Sequence, residues 1–164
     1  MRAFSTTVTL AAVSVLLLLT ACSSTKPANT GAGMSSSETI VPGSKRDFEV
    51  NAGDRVFFDF DGSDIRSDGA ATLQKQAAWL KRYASVTLTI EGHCDERGTR
   101  EYNLALGARR ASATKEYLIG QGISASRLET ISYGKEKPMC VESSEGCWAQ
   151  NRRAVSVISG GVSS

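Results

Sequence analysis

The sequence predicts an α+β domain, a layered sandwich in which helices pack on one mixed sheet in the order β-α-β-α-β-β. Four short segments have the alternating apolar pattern of strands, and two longer segments place apolar residues at helical spacing. Each helical segment also lies between two strands in the chain. The domain is expected over residues 48–160, a length sufficient for one apolar core.

The first strand and the first helix come early in this domain. Residues 56–61 alternate, so that Val56, Phe58 and Phe60 share one face of an extended segment. Ser67 is a candidate N-cap, and apolar residues then recur at intervals of three and four to about Tyr83. A strand followed by a helix is therefore predicted.

The second strand has the clearest alternation in the chain. Over residues 86–91, apolar side chains point one way while Thr and Glu side chains point the other. A second helix is expected over 99–119, and Gly120 and Gly122 are the candidates for its end. Two further short strands complete the predicted order, at 128–133 and 153–158.

Composition and residue spacing exclude several classes of function. The chain has 164 residues and a formal net charge of +2, which is too balanced for a nucleic-acid-binding protein that relies on a basic surface. Its four cysteines form no CxxC pair, so no metal site or other cofactor is expected. His93 is the only histidine, and adjacent His93 and Cys94 point to opposite sides of a strand. No Ser-His-Asp or Cys-His site can be built from it, so no enzyme is predicted, although composition leaves a pair of catalytic carboxylates open.

The N-terminus, residues 1–21, is predicted to be an export signal. Arg2 precedes an apolar stretch of 12 residues, 8–19, which is too short to span a membrane. Residues 19–22, Leu-Thr-Ala-Cys, resemble the lipobox of bacterial lipoproteins, in which the cysteine is lipidated and becomes the new N-terminus. An ordinary secretory signal is the alternative. Ser23 after Cys22, in place of Asp, favours the outer membrane, with the domain facing the periplasm.

Residues 22–47 follow as the lipidated cysteine and a flexible tether. This segment is rich in Ser, Thr, Gly and Ala, and it cannot bury enough apolar surface to offset the entropy of ordering. Farther along, Cys140 and Cys147 enclose six residues of a polar loop, and in an oxidising compartment they can form a disulfide. Cys94 would then be a free, partly buried thiol, whereas the alternative is three reduced thiols.

Arg110 stands out on the second predicted helix. A guanidinium on an otherwise apolar face requires an anion as its partner, because an unpaired buried charge is costly. Neighbouring Arg109 lies about 100° farther round the helix and is expected to be solvated. A purely structural ion pair, or an arginine whose charged end reaches solvent, is the alternative for Arg110. The residues that share this face are Asn103, Leu106, Arg110, Ala113 and Tyr117.

Asp95 lies in the polar loop between the second strand and the second helix. The helix would bring Arg110 back toward the end of that strand. A guanidinium can bind a carboxylate through two hydrogen bonds, and a carboxylate can hold an ammonium group. A cleft that contains both Asp95 and Arg110 would therefore suit a zwitterionic ligand.

Several long motifs together resemble the OmpA-like family of peptidoglycan-binding domains. Within that family the chain is most similar to the lipid-anchored members that belong to the Tol–Pal system, because it combines these motifs with a lipobox and a tether. Cys94 is a departure, since many relatives carry Ala or Thr there. The motifs cover nearly the whole predicted domain and lie at 58–61 with 64–66, 91–103, 106–111, 132–138 and 150–155.

The resemblance implies non-covalent binding of the diaminopimelate-containing stem peptide of peptidoglycan, with Asp95 and Arg110 as the ligand aspartate and arginine. It further implies docking of TolB, a link to TolA, anchoring of the outer membrane to the cell wall, and support of envelope integrity and cell division. A general wall-anchoring lipoprotein without Tol partners and a periplasmic wall-cleaving enzyme are the alternatives. By motif, the same pocket is also lined by Phe60, Asp61, Arg97, Thr99, Asn103 and Leu106.

Overall fold

The fold is built on one four-stranded mixed sheet, seen in a computed structural model that describes residues 40–162. The spatial order of the strands is β1-β4-β2-β3, with β4 antiparallel to both of its neighbours and β2 parallel to β3. The α+β class predicted from the sequence is therefore confirmed. The strands are β1 (Arg55–Phe57), β2 (Thr87–His93), β3 (Leu128–Gly134) and β4 (Arg153–Gly160).

Helices occupy one face of this sheet, and the two long ones begin and end within two residues of the predicted limits. The structure adds a short helix between β3 and β4, where the sequence analysis expects a loop, because seven residues are too few to show helical periodicity. A π-helical turn (Phe48–Ala52) and a 3₁₀ turn (Ala125–Arg127) complete the fold. The helices are α1 (Lys45–Asp47), α2 (Ser67–Arg82), α3 (Arg100–Gly120) and α4 (Glu145–Asn151).

The apolar core fills the layer between the sheet and the helices. Leu88 and Ile90 of β2 are completely buried, and Leu73, Leu80 and Leu118 from α2 and α3 close over them. Burying a side chain of this size contributes about 1.5–3 kcal/mol to the free energy of folding. The alternation predicted for this strand is confirmed in the side chains that point into the core.

The first strand is shorter than predicted, and this changes the position of one aromatic residue. β1 ends at Phe57, although Phe58 remains buried and its amide donates to the carbonyl of Arg152 (2.9 Å). The chain then leaves the sheet and turns at residues 59–62, where the amide of Gly62 donates to the carbonyl of Asp59 (3.2 Å) and Asp61 has a φ of 56°. Phe60 is consequently 62% exposed rather than part of a buried strand face.

Of the residues predicted to begin and end the long helices, Ser67 is wrong and Gly122 is confirmed. Ser67 is not the N-cap of α2: the cap position is Arg66, which makes no side-chain capping bond. At the other helix, α3 ends in a Schellman arrangement, in which Gly122 has a φ of 91° and the amide of Ile123 donates to the carbonyl of Leu118 (3.1 Å). Gly122, with its positive φ, is therefore the residue that ends this helix.

Residues just before 48 also pack on the domain. The side chain of Ser44 caps α1, and the buried carboxylate of Asp47 accepts hydrogen bonds from the Gly43 amide (2.8 Å) and from Nε1 of Trp79 (2.9 Å). The last residues of the predicted tether thus belong to the domain. The export signal, Cys22 and residues 22–39 of the tether lie outside the described residues. No helix within residues 40–162 is long and apolar enough to cross a membrane.

Two glycines allow α3 to lie directly against β2. A Cβ atom at Gly92 would lie 1.8 Å from the carbonyl oxygen of Gly107, and a Cβ at Gly107 would lie 2.4 Å from Oγ of Ser132. Only glycine permits this approach. It brings the next turn of the helix, which carries Arg110, to the end of β2.

Candidate functional site

A cavity of about 150 Å³ opens where β2 ends and the following loop enters α3. The structure brings seven of the eight predicted ligand-site residues to its wall. It adds Cys94, Gly98 and Tyr102, which the motif comparison did not single out as ligand residues. The lining consists of Phe60, Asp61, Cys94, Asp95, Arg97, Gly98, Tyr102, Asn103, Leu106 and Arg110.

Thr99 is the predicted site residue that does not line the cavity. It is the N-cap of α3, where its hydroxyl accepts a hydrogen bond from the amide of Tyr102 (3.2 Å). Its carbonyl accepts a second bond, from the side-chain amide of Asn103 (3.0 Å), which also donates to the carbonyl of Arg97 (2.7 Å). Thr99 therefore shapes the loop beside the cavity rather than its surface.

Asp95 is buried and already paired with two arginines. Arg97 binds its carboxylate in a fork, through Nε (3.1 Å) and Nη2 (2.6 Å), and its backbone amide also donates to Asp95 (3.1 Å). Nη1 of Arg152 lies 3.4 Å from the same carboxylate. Burial by itself would raise the pKa of Asp95, but the bonds from Arg97 outweigh burial and lower it. Asp95 is therefore ionised at neutral pH.

Arg97 is held between two aromatic rings. Its guanidinium carbon lies 4.2 Å from the ring centre of Phe60 and 4.1 Å from that of Trp148. Cation–π contacts of this kind stabilise a flat guanidinium from both faces. The hydrogen bonds to Asp95 raise the pKa of Arg97, so both the carboxylate and the guanidinium stay charged.

Arg110 is completely buried, and its partners are backbone carbonyls rather than a carboxylate. Nε donates to Gly62 (2.8 Å), Nη1 to His93 (2.9 Å) and Nη2 to Asp59 (3.1 Å). These bonds join the end of β2 to the turn after β1. Burial lowers the pKa of Arg110. The predicted helix face is buried at Leu106 and Arg110 but only half-buried at Ala113 and Tyr117. Three carbonyls stand in place of the anion expected to pair with Arg110.

The disulfide between Cys140 and Cys147 is confirmed, with a Cα–Cα distance of 5.2 Å. It ties the first turn of α4 to the segment before it, and α4 carries Trp148 to its place against Arg97. Cys94 is a free, buried thiol whose Sγ donates to the carbonyl of Asn103 (3.3 Å), and burial raises its pKa.

Supporting residues on α4 and at its end were missed by sequence reasoning. Nη2 of Arg152 bonds to Glu145 (2.6 Å), so Arg152 connects that carboxylate to Asp95. On the cavity rim, the hydroxyl of Tyr102 donates to Asp61. The only sequence signal for Arg152 was its position inside the motif at 150–155. The motif also contains Arg153, and it does not indicate which of the two arginines lies near the cavity.

His93 and Cys94 point to opposite sides of the chain, as the sequence predicts. The imidazole of His93 packs on the ring of Tyr133 (5.5 Å between ring centres), on the sheet face away from α3. Burial and the nearby charge of Arg153 lower the pKa of His93 to about 4. Within residues 40–162, no three His, Cys, Asp or Glu side chains are grouped as metal ligands would be.

Residues 57–152 match the model of the OmpA family. The chain is 55% identical over 152 residues to the peptidoglycan-associated lipoprotein of Agrobacterium fabrum, an alignment covering 91% of this chain and 86% of the relative. It is 42% identical over 137 residues to the peptidoglycan-associated lipoprotein of Haemophilus influenzae (84% and 88% covered). Among solved structures, the peptidoglycan-associated lipoprotein of Burkholderia pseudomallei superposes with a TM-score of 0.66 at 39% identity, covering 70% of this chain and 99% of that one.

Proposed function

The chain belongs to the OmpA family and, within it, to the peptidoglycan-associated lipoproteins, and from this premise we propose that it binds peptidoglycan non-covalently and ties the cell envelope to the wall. The observation that carries the proposal is the cavity at the end of β2, which is lined by the buried residues Asp95 and Arg110. Such a site matches a ligand that carries one positive and one negative charge.

The diaminopimelate side chain of the stem peptide is the ligand that we propose. Its end carries one ammonium and one carboxylate group, which Asp95 and Arg110 would bind respectively. Arg110 has five N–H groups and donates three to carbonyls, so two remain for a ligand carboxylate. The exposed ring of Phe60 and the side chain of Leu106 provide apolar surface for the methylene groups between the two charges.

We propose binding without catalysis. Asp95 has a lowered pKa and is held by two arginines, so it is a poor proton donor at neutral pH. The thiol of Cys94 is buried and has a raised pKa, so it is a poor nucleophile. These properties favour a protein that links the envelope to the cell wall, rather than an enzyme that cleaves the wall.

The finer parts of the proposal concern the membrane and protein partners. Lipidated Cys22 would hold the protein at the outer membrane with the domain in the periplasm, and more than one acyl chain is needed for firm attachment. TolB would dock on the domain and TolA would be linked to it, placing the protein in the Tol–Pal system and in cell division. The likeness to peptidoglycan-associated lipoproteins supports these partners.

Sedimentation with purified cell-wall sacculi tests the central claim. The domain should sediment with sacculi and release no soluble fragments, whereas release of fragments would favour the enzyme. A pull-down with purified TolB separates membership of the Tol–Pal system from general wall anchoring. For the anchor, Cys22→Ala should leave the protein unprocessed or free of the membrane, and fractionation with outer membranes when wall binding is blocked would contradict the lipobox prediction.

A further inference from the structure

We propose that Arg97 is an internal cation that occupies the ammonium position at Asp95 and transfers to Glu145 when a ligand binds. This inference rests on the proposed function, because it concerns how the same cavity admits a charged stem peptide. Arg97 would then be a positioning residue that sets affinity by competing with the ligand.

Asp95 has no unmatched charge to offer an incoming ligand. Its carboxylate receives the fork of Arg97 and a contact from Arg152, and its side chain is only 6% exposed. An incoming ammonium would be a third cation at one buried carboxylate, where charges are poorly screened. Binding is therefore favourable only if one resident cation withdraws.

Of the two arginines at Asp95, Arg97 is the one that can move. Arg152 is 8% exposed and joins Asp95 to Glu145, with Nε also donating to the carbonyl of Phe58 (3.2 Å). Arg97 has a side chain that is 32% exposed and that lines the cavity itself. Its contacts apart from Asp95 are mainly the flat faces of two rings, which do not restrict in-plane movement. Arg97 is thus the mobile partner of the pair.

A second carboxylate, that of Glu145, already lies near the guanidinium of Arg97. Oε2 of Glu145 lies 3.9 Å from Nη1 of Arg97, the guanidinium nitrogen that does not bind Asp95, and the side chain of Glu145 is 64% exposed. A guanidinium that slides between Phe60 and Trp148 toward Glu145 keeps both ring contacts and exchanges one carboxylate for another. Asp95 retains the bond from the backbone amide of Arg97 (3.1 Å). The ligand ammonium then takes the place that the guanidinium leaves.

Calorimetric titration with a diaminopimelate-containing stem peptide tests the exchange through two substitutions with opposite expected signs. Arg97→Gln removes the competitor, so affinity should rise about 3-fold or more. Glu145→Gln removes the negative charge that would receive Arg97, while the amide oxygen can still accept the bond from Arg152. Affinity should therefore fall about 3-fold, although Glu145 does not line the cavity. In the double variant, Glu145→Gln should have no further effect, because there is no guanidinium left to receive.

A matched peptide isolates the ammonium. When hydrogen replaces the side-chain amine of diaminopimelate, Arg97→Gln should no longer raise affinity. Glu116→Gln, an exposed charge change on α3, is the control and should leave binding unchanged. Melting temperatures confirm that each variant is folded, and Glu145→Gln decides the question if Arg97→Gln is unstable.

The outcomes separate the two proposals. If the wild-type protein fails to bind the stem peptide, the proposed function falls. If the wild-type protein binds the stem peptide but Arg97→Gln binds it equally or more weakly, or binds both peptides more tightly to the same extent, only the exchange is overturned. Arg97 is then a residue that contacts the ligand directly or one that merely lines the cavity.

Discussion

Leu88 and Arg110 are both completely buried, and they are held in different ways. Leu88 lies in the apolar layer between the sheet and the two long helices, where any well-fitting hydrocarbon neighbour stabilises it. Arg110 lies in the polar end of the domain, where it donates to three carbonyls from two separate segments. The apolar layer depends on volume, whereas the polar end depends on partners in defined positions.

This contrast separates stability from recognition. A truncation in the apolar layer leaves a void but no unmatched charge, so the cavity at the end of β2 should keep its form. A truncation in the polar end leaves donors or acceptors unpaired beside the ligand, so it should affect stability and binding together. The four predictions below test that division, from the largest expected effect to the smallest.

Arg110→Ala should lower the free energy of unfolding by about 3–5 kcal/mol, because three carbonyls lose a charged donor. Leu118→Ala on the same helix should cost about 2–5 kcal/mol by leaving a void. At a temperature where both variants are folded, only Arg110→Ala should lose stem-peptide affinity, about 10- to 150-fold, as measured by calorimetry. Arg110→Lys should restore part of each loss, since an ammonium cannot supply a planar fork. Equal affinity in the two alanine variants would end the distinction and the site assignment.

Asp95→Asn should reduce affinity for the stem peptide by about 10- to 150-fold, because an amide cannot pair with the ammonium. Arg109→Ala is the matched control on the exposed side of α3 and should stay within about 3-fold, as expected of a solvated charge. Sedimentation with sacculi and titration with the peptide measure both. Binding by a folded Asp95→Asn variant at the wild-type level would show that the ammonium lies elsewhere.

Breaking the disulfide should weaken both properties modestly. Replacing Cys140 and Cys147 with Ser should lower the free energy of unfolding by at most about 2–3 kcal/mol on the loop-entropy model. Affinity should fall a few-fold, because α4 holds Trp148 and Glu145 beside Arg97. Urea unfolding and titration measure the two effects. Unchanged affinity in the folded variant without the disulfide would rule out a specific role of α4.

Acid should lower stability through two buried carboxylates, Asp47 in α1 and Asp95 in the polar end. Burial would raise the pKa values of Asp47 and Asp95, but hydrogen bonds outweigh it and lower both below 3.8. Their contribution to stability is therefore present above about pH 4, the unfolded value, and is lost as pH falls through the lower folded values. Urea unfolding between pH 7 and pH 3 should show less acid sensitivity in Asp47→Asn and Asp95→Asn than in the wild type. If either variant loses stability in acid as the wild type does, the carboxylate of that residue does not contribute to the acid sensitivity.

The strands and long helices could be predicted from the sequence because their signals are local. Alternation over 86–91 and the three–four spacing along α3 depend only on which side chains face the core. Long motifs also located Asp95, Arg110 and most of the cavity wall. The disulfide was predictable because its two cysteines lie only seven positions apart.

The remaining features needed the tertiary structure, because they join residues that are distant in the chain. Arg97 meets Phe60 and Trp148 only after α4 folds back over the loop beyond β2, and no periodicity encodes that contact. The sequence by itself determined the α+β class, the core-facing side chains of β2 and the identity of the charged groups. Only the folded chain decided that Asp95 already holds a guanidinium and that Arg110 donates to backbone carbonyls. The physical reason is that burial requires only an apolar side chain, whereas a buried charge requires a specific partner whose position the whole fold sets.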